Sequence, residues 1–361
     1  MTAPRDLQDL RRRVQSEIET ELTHQRQVLA ELGDEGVALL DVIATLLRGG
    51  KRLRAAFCYW GYRGMGGTHD DAALRAATAM EFFQAAALLH DDVMDDSAVR
   101  RGAPTAHVHF ADRHAQHGWL GSSSRFGEAA AILAGDLCLV WTDEVMATCG
   151  WPVDESARAR RCFDDMRTQL MAGQFLDILY AARGWDELDD AGRVALARRV
   201  VRYKSAKYSV EQPLLIGADA AGVDAADRAR LSAYGLALGE AFQLRDDVLG
   251  VYGDPVQTGK PAGDDLREGK HTVLIALALA RCSEPNAQIL TAGLGRPDLS
   301  QGDIDEMRAI ITDCGALDEL EEMITAGTRA AQEELALVVG LSQEGREALG
   351  ELTLLTTTRT T

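Results

Sequence analysis

The stretch Leu88–Gly102, LLHDDVMDDSAVRRG, joins an apolar segment to a run of acids and then to two arginines. Asp91 and Asp95 are four residues apart, so a helix would place them on one face, one turn from each other. At the carboxyl end of a helix these carboxylates repel one another and the helix dipole, and a divalent cation would relieve that repulsion. Carboxylates without nearby thiols favour Mg²⁺, which completes its shell with water and substrate phosphates.

Two segments of the chain share this pattern. Arg75–Leu89, RAATAMEFFQAAALL, is apolar almost all the way round, which is typical of a buried helix. Leu231–Val251 is a second apolar segment, and it carries Asp246 and Asp247 near its end. One acidic run is typical of a solvated helix end, but two buried helices that each carry paired acids favour a metal site.

Composition limits the class of protein. The net charge of −18 argues against a nucleic-acid partner, because phosphate binding needs a broad basic surface. The six cysteines form no CxxC pair or zinc spacing and are interpreted as reduced, structural thiols. No signal peptide or bilayer-length apolar run is present in the sequence, so we expect a cytoplasmic protein that does not span a membrane.

The periodicity predicts an all-α fold. No strand alternation of useful length occurs, and no change of composition marks a second domain, so residues 1–361 are predicted to form a single-domain helical bundle. Residues 7–32 carry one apolar stripe that packs either on the domain or on a second subunit. Residues 356–361, TTTRTT, are predicted to fray.

Two further features point to anion binding and to a broken helix. Gly49–Arg54, GGKRLR, places basic side chains at a predicted helix start, where backbone amides also favour an anion. Pro213 lies inside the helical pattern 194–217, downstream of Lys204, and cannot donate its amide, so the helix is predicted to break there.

Taken together, these motifs resemble those of the trans-isoprenyl diphosphate synthases, the polyprenyl synthetase family. The resemblance runs from about residue 49 to residue 272, and the motifs occur in the family's order: GGKRLR, DDVMD with RRG, GQFLD, KSAKYS, FQLRDD and GDPVQTGK…GDDLREGK. It implies an all-α fold around a deep central cavity, usually a homodimer, and three Mg²⁺ per active site with substrate bound. The N-terminal helix of residues 1–32 would lie at the dimer interface if it does not pack on the domain. The substrates implied are isopentenyl diphosphate and an allylic diphosphate (dimethylallyl, geranyl or farnesyl).

The resemblance also assigns roles to individual residues. The metal ligands it implies are Asp91, Asp92, Asp95, Asp246, Asp247 and Asp264. The isopentenyl diphosphate site is implied at Lys51, Arg54, Gln84 and Arg101, and the allylic diphosphate site at Arg100, Lys204 and Lys260. Lys270 is a further substrate-binding residue, and catalysis is assigned to Arg100, Lys204, Gln243 and Lys260. Gln174, Asp177, Gln243 and Asp264 fall at supporting positions of the metal and diphosphate site.

One motif departs from the family pattern. The second acidic motif usually reads DDxxD, whereas this chain has DDVLG, with Gly250 in place of the last acid. This departure predicts that the motif holds its metal less tightly, unless Asp264 and Asp265 in the following segment compensate.

Product length in the family depends on how far the growing chain extends before it meets a bulky side chain. Ala86 and Ala87 leave the level about 6–8 Å before Asp91 open, and Phe82 and Phe83 lie about 12–14 Å before it. This pattern favours geranylgeranyl diphosphate, C20, over farnesyl diphosphate or a C25 product, unless the two phenylalanines are only core packing.

Two other functions are compatible with parts of the sequence. A terpene cyclase uses a similar first acidic motif, but it would carry an Asn/Ser/Glu triad where this chain has DDVLG and would not need GGKRLR. A regulatory subunit of a heteromeric synthase is supported only by Gly250, and such subunits tend to lose the first motif, which is intact here.

Overall fold

The computed structural model describes residues 6–185, 187–253 and 263–357, and these residues are almost entirely helical, which confirms the all-α prediction. The α-helices in chain order are α1 Leu7–Ala30, α2 Asp34–Leu46, α3 Leu53–Gly64, α4 Asp70–Met94, α5 Ala106–Gln116, α6 Ser123–Ala147, α7 Val153–Arg183, α8 Asp190–Val200, α9 Gln212–Ala221, α10 Ala225–Tyr252, α11 Asp264–Arg267, α12 Val273–Arg281, α13 Glu284–Gly293, α14 Gln301–Asp313, α15 Ala316–Ala336 and α16 Gln343–Thr357. A π-helical segment, Val201–Glu211, connects α8 to α9. Strands β1 Val99–Arg100 and β2 Ala103–Pro104 form a short antiparallel hairpin.

The contacts divide the chain into two compact units, so the single-domain expectation stays a prediction. The first unit comprises the described residues up to Arg160 together with residues 213–223 and 341–348. Its centre is α4, which packs against α3 and α6, while α5 packs on α6. The apolar stripe predicted on α1 is buried in this unit, where α1 contacts α2, α3 and α4.

The second unit comprises residues 161–212, 224–340 and 349–361, as far as they are described. Its centre is α10, which packs against the π-helical segment and α15. The buried carboxylate of Asp227 on α10 accepts hydrogen bonds from the backbone amides of Val339 and Gly340, at 2.8 and 2.6 Å. Thr356 and Thr357 are buried at the end of α16, so the frayed tail does not include them, and residues 358–361 lie outside the described residues.

The helix break predicted at Pro213 begins earlier in the chain than expected. The π-helical segment ends at Glu211, and the backbone N–H of Gln212 donates to the carbonyl of Lys207, five residues back. The wider turn therefore precedes the proline, and Lys204 lies within it.

No helix in the described ranges is both long enough and apolar enough to cross a bilayer.

Candidate active site

The first acidic motif lies at the carboxyl end of α4. Asp91 is half-buried, and the backbone amide of Asp95 donates to its carbonyl at 2.8 Å, which places the two acids one turn apart as the spacing predicts. Asp92 is buried, and its Oδ1 accepts from Arg100 Nε at 2.7 Å and Nη2 at 2.6 Å. The β1–β2 hairpin brings Arg100 back to the helix, so Asp92 is an ion-pair partner of the residue predicted to bind the allylic diphosphate.

Four arginines gather beside this motif. The loop before α3 turns through Gly49, Gly50 and Arg52 with positive φ angles of 79°, 98° and 55°. A Cβ on Gly50 would lie 3.6 Å from Nη2 of Arg101, whose Nη1 donates to the Leu46 carbonyl at 3.1 Å.

The arginines of this cluster act on one another electrostatically. Desolvation of the Arg101 guanidinium, and then the charges of Arg52, Arg100 and Arg54, lower the pKa of Arg101. A group of cations that disfavour one another in this way is suited to an anion such as a diphosphate. Gln84 is half-buried on α4.

A buried ion pair that the sequence did not predict anchors this cluster. Arg52 Nη1 donates to Glu81 Oε2 at 2.8 Å, and both side chains are buried, with relative exposures of 4% and 7%. Arg52 also donates to Gln15 Oε1 at 2.6 Å. The signal in the sequence was the single acid in the apolar segment 75–89, since a buried charge requires a partner.

The second acidic motif lies near the end of α10. Asp246 is half-buried, whereas Asp247 is buried and its Oδ1 accepts from Gln243 Nε2 at 2.9 Å. The other oxygen, Oδ2, is buried and has no hydrogen-bond partner among the described residues. The pKa of Asp247 is raised to about 8, chiefly because the side chain is buried. The hydrogen bond from Gln243 lowers this pKa, and the charges of Asp265 and Asp246 raise it. An unsatisfied carboxylate oxygen among other carboxylates fits a divalent cation.

This pKa leads to a prediction for the protein without metal. The folded state holds the Asp247 proton up to about pH 8, whereas the unfolded state loses it near the usual value of 3.8, so stability falls as the pH rises between these values. We expect the thermal midpoint of metal-free wild type to fall more steeply from about pH 5 to about pH 8 than that of Asp247→Asn. Scanning calorimetry of both proteins in chelator tests this, and parallel curves would contradict it.

The segment after the second motif places Asp265 against Gly250 of α10. A Cβ on Gly250 would lie 1.9 Å from Oδ2 of Asp265 and 2.9 Å from its Oδ1. Lys270 Nζ lies 3.8 Å from Asp265 Oδ1 and 2.6 Å from Glu268 Oε2. Asp265 is therefore the acid next to Gly250, the position at which DDVLG lacks its last acid, and Lys270 lies beside Asp265.

Lys204 and Asp177 form an ion pair, with Nζ and Oδ2 2.6 Å apart. Lys204 lies on the π-helical segment, and α7 carries Asp177 and the half-buried Gln174. The two backbones approach closely at Gly173, where a Cβ would lie 2.7 Å from the backbone nitrogen of Lys204. The structure therefore brings Lys204 together with Asp177, one of the residues predicted to support the metal and diphosphate site. Lys260 lies outside the described residues.

The four residues predicted to set product length lie on different faces of α4. Phe82 and Phe83 are both buried, and the Phe82 ring packs edge-on against Trp141 of α6, with centroids 6.1 Å apart. Ala86 is fully buried, whereas Ala87 is half-buried, as Asp91 is. Phe83, Ala87 and Asp91 follow at four-residue intervals along one ridge of the helix.

One other group of metal-type ligands occurs in the described part of the chain. Glu21, His24 and Glu144 place one ligand atom each within 4.8 Å of one another. Glu21 also pairs with Arg75 at 2.8 Å, and Gln25 donates to both glutamates at 2.8 and 3.0 Å. These contacts make the group a polar connection of α1 to α4 and α6.

Comparison with known proteins agrees with this chemistry. A family model described as polyprenyl synthetase matches residues 37–311. The crystal structure of a geranylgeranyl pyrophosphate synthase from Corynebacterium glutamicum, complexed with isoprenyl diphosphate and magnesium, matches with a TM-score of 0.92 and 37% identity, over 98% of this chain and 99% of that chain.

Two curated relatives cover most of the chain. A geranylfarnesyl diphosphate synthase of Aeropyrum pernix is 34% identical over 308 residues, 84% of this chain and 88% of that protein. A nonaprenyl diphosphate synthase of Mycobacterium tuberculosis is 30% identical over 348 residues, 96% of this chain and 91% of that protein.

The fold, the acidic motifs and these similarities define an enzyme of the trans-prenyltransferase class. The chain belongs to the polyprenyl synthetase family, as its motifs predicted. The relatives' products range from C20 to C45, so the product of this chain has to be argued from its own residues.

Proposed function

We propose that this protein condenses isopentenyl diphosphate with an allylic diphosphate, head to tail and with Mg²⁺, and that its main product is geranylgeranyl diphosphate. The observation that carries the proposal is the arrangement at the end of α4. Asp91 and Asp95 lie one turn apart, and the adjacent Asp92 contacts Arg100, a member of the arginine cluster around Arg101. Carboxylates for the cation and guanidiniums for phosphate oxygens are the two kinds of group that a metal–diphosphate complex requires.

Most of the predicted site residues have a role in this proposal. Asp91, Asp92 and Asp95 form the first metal-binding motif, and Asp246 and Asp247, supported by Gln243, form the second. The isopentenyl diphosphate contacts are Lys51, Arg54, Gln84 and Arg101. The allylic diphosphate contacts are Arg100, Lys204 and Lys260, and Lys270 is a further substrate-binding residue. Three Mg²⁺ per active site accompany the bound substrate.

The chemistry requires no protein nucleophile. When bound, Mg²⁺ neutralises charge that develops on the departing diphosphate. The basic side chains donate hydrogen bonds to the same oxygens, and this electrostatic stabilisation lowers the barrier. The C–O bond of the allylic substrate breaks, the double bond of isopentenyl diphosphate attacks the allylic carbon, and a proton passes to the released diphosphate. The apolar ridge of Phe83 and Ala87 excludes water from the allylic cation.

An assay of the purified chain alone tests the proposal. Isopentenyl diphosphate is supplied with dimethylallyl, geranyl or farnesyl diphosphate, and the dephosphorylated products are separated by chromatography. We expect a C20 alcohol from each primer. Cyclic hydrocarbons would instead support a terpene cyclase, and a chain inactive on its own would support a regulatory subunit.

Product length should respond to substitutions on the ridge of α4 that leads to Asp91. Ala87→Phe places a ring about 6 Å before Asp91, so we expect shorter products, near C15. Phe83→Ala removes a ring about 12 Å before Asp91, so we expect products longer than C20. The same chromatography measures both changes.

Phe82→Ala is the matched control for Phe83→Ala, because the Phe82 ring packs on Trp141. It should cost about 3–5 kcal/mol of stability and leave product length unchanged. If Phe83→Ala and Ala87→Phe both leave the product distribution unchanged, α4 does not set product length.

We also propose that the protein is a homodimer that associates through α6. Phe126, Leu133, Val140 and Ala147 are all exposed and recur every seven residues, and Leu133 and Val140 are 56% and 61% exposed. An apolar seam at this interval is typical of helices that pair, and a two-fold dimer buries the same seam from each copy.

Leu133→Asp should therefore convert the dimer to a monomer in size-exclusion chromatography with light scattering. Val153→Asp is the matched control, since Val153 is 88% exposed at the start of α7 and lies outside the seam. A variant at Leu133 that keeps the wild-type mass would contradict the α6 interface.

We further propose a cytoplasmic location, which is supported by cysteines that show no CxxC or zinc spacing and of which four are buried.

A further inference from the structure

Gly250 marks the position at which the second acidic motif lacks a carboxylate. On α10 it lies four residues after Asp246 and three after Asp247, so all three positions share one face of the helix. The Cβ that any other residue would carry there lies 1.9 Å and 2.9 Å from the two carboxylate oxygens of Asp265. In an aspartate these oxygens lie about 2.4 Å from their own Cβ, from standard bond lengths. The carboxylate of Asp265 therefore occupies the volume that an aspartate at position 250 would use.

The segment that carries Asp265 is anchored by contacts of the residues that follow it. Leu266 is fully buried, and its carbonyl accepts from the backbone N–H of Gly295 at 2.9 Å. The backbone N–H of Lys270 donates to the carbonyl of Asp265 at 3.0 Å, and the Lys270 ammonium lies 3.8 Å from its carboxylate. These contacts fix the direction of the Asp265 side chain toward α10.

The carboxylate of Asp265 lies on the side of α10 that carries the acidic pair, because Asp246 and Asp247 lie four and three residues before Gly250. Because the Oδ2 of Asp247 is buried without a hydrogen-bond partner in the described residues, the two carboxylates can share a cation.

We propose that Asp265 supplies the third carboxylate of the second acidic motif, and that position 250 is glycine so that this carboxylate can enter. The inference rests on the proposed Mg²⁺-dependent function. It assigns the role to Asp265 in place of Asp264, and it predicts that the acid can come from α10 or from α11 but not from both. Gly250→Asp therefore displaces Asp265 instead of completing the motif.

A positional exchange tests this directly. The variants are Gly250→Asp, Asp265→Ala, the double variant Gly250→Asp/Asp265→Ala, and the matched control Gly250→Ala/Asp265→Ala, which differs from the double variant only in the carboxylate at 250. Each protein is titrated with Mg²⁺ in the presence of inorganic pyrophosphate, and binding is followed by calorimetry and by the thermal midpoint. Circular dichroism of the metal-free proteins confirms folding, and Asp265→Asn replaces any Asp265→Ala variant that fails to fold.

We expect each single variant to weaken apparent Mg²⁺ affinity by about 10-fold or more, the scale typical of losing a group that supports a metal site. The apparent Mg²⁺ affinity of the double variant should lie within about 3-fold of the wild-type value, whereas that of the alanine control should stay low. The proposal is overturned if Asp265→Ala titrates like wild type, or if the double variant binds no better than the alanine control. A wild-type protein that neither binds Mg²⁺ with pyrophosphate nor transfers prenyl groups would instead contradict the proposed function.

Discussion

Asp91→Asn should lower the turnover number by about 10²-fold or more, the scale of losing one major electrostatic stabiliser of a transition state. Asp91 is half-buried at the end of α4, one turn from Asp95 and next to the Asp92–Arg100 ion pair. Asparagine keeps the size of the side chain but removes the charge, so folding should be retained. Steady-state kinetics at several Mg²⁺ concentrations measure the effect.

Asp96→Asn is the matched control in the same acidic run. The Asp96 side chain is fully exposed, and its φ angle of 52° is one that asparagine tolerates. Its contact with His107 is long, at 3.8 Å, and should contribute little. Equal turnover numbers for Asp91→Asn and Asp96→Asn at saturating Mg²⁺ would contradict the assignment of Asp91 as a metal ligand.

Glu81→Ala should produce the largest loss of stability among single ion-pair variants proposed here, about 3–5 kcal/mol in the free energy of unfolding. The substitution leaves the guanidinium of Arg52 buried without its carboxylate partner, which lies 2.8 Å away in the wild type. Because Arg52 holds the turn that presents Lys51 and Arg54, the affinity for isopentenyl diphosphate should fall as well. Urea denaturation followed by circular dichroism measures the first effect, and the Michaelis constant measures the second.

Glu128→Ala provides the comparison for an exposed ion pair. Glu128 contacts Arg125 at the same distance of 2.8 Å, but the side chains are 38% and 76% exposed, so the loss should stay below about 1 kcal/mol. If Glu81→Ala and Glu128→Ala lower the free energy of unfolding by the same amount, burial does not make the Arg52–Glu81 ion pair more important for stability.

Both predictions depend on how the protein balances charge near α4. Asp92 is compensated by Arg100 and Glu81 by Arg52, both through contacts of 2.8 Å or less. Asp91 and Asp95 lie beyond these two pairs on the half-buried face of the helix. These two ion pairs stabilise the fold, and the carboxylates of Asp91, Asp92 and Asp95 are the ones we propose to bind the cation.

The positions of α4 and α10 and the acids they carry were predictable from the sequence. Their apolar composition and the four-residue spacing of Asp91 and Asp95 are local properties, because a helix of 3.6 residues per turn converts such spacing directly into shared faces. The motifs around these helices also identified the family before any contact was known. The helix break near Pro213 was predictable because proline has no backbone N–H to donate. The extent of the π-helical segment, Val201–Glu211, was not predictable from the sequence.

Contacts between distant parts of the chain were decided only by the tertiary structure. Glu81 and Arg52 are 29 residues apart in sequence, and Asp177 and Lys204 are 27 apart, so no helical period relates them. The sequence offered both Asp264 and Asp265 as replacements for the missing acid, and their order in the chain could not distinguish them. The structure favours Asp265 because the buried Leu266 anchors the short helix α11, and this orientation directs the neighbouring carboxylate into the space that Gly250 leaves open.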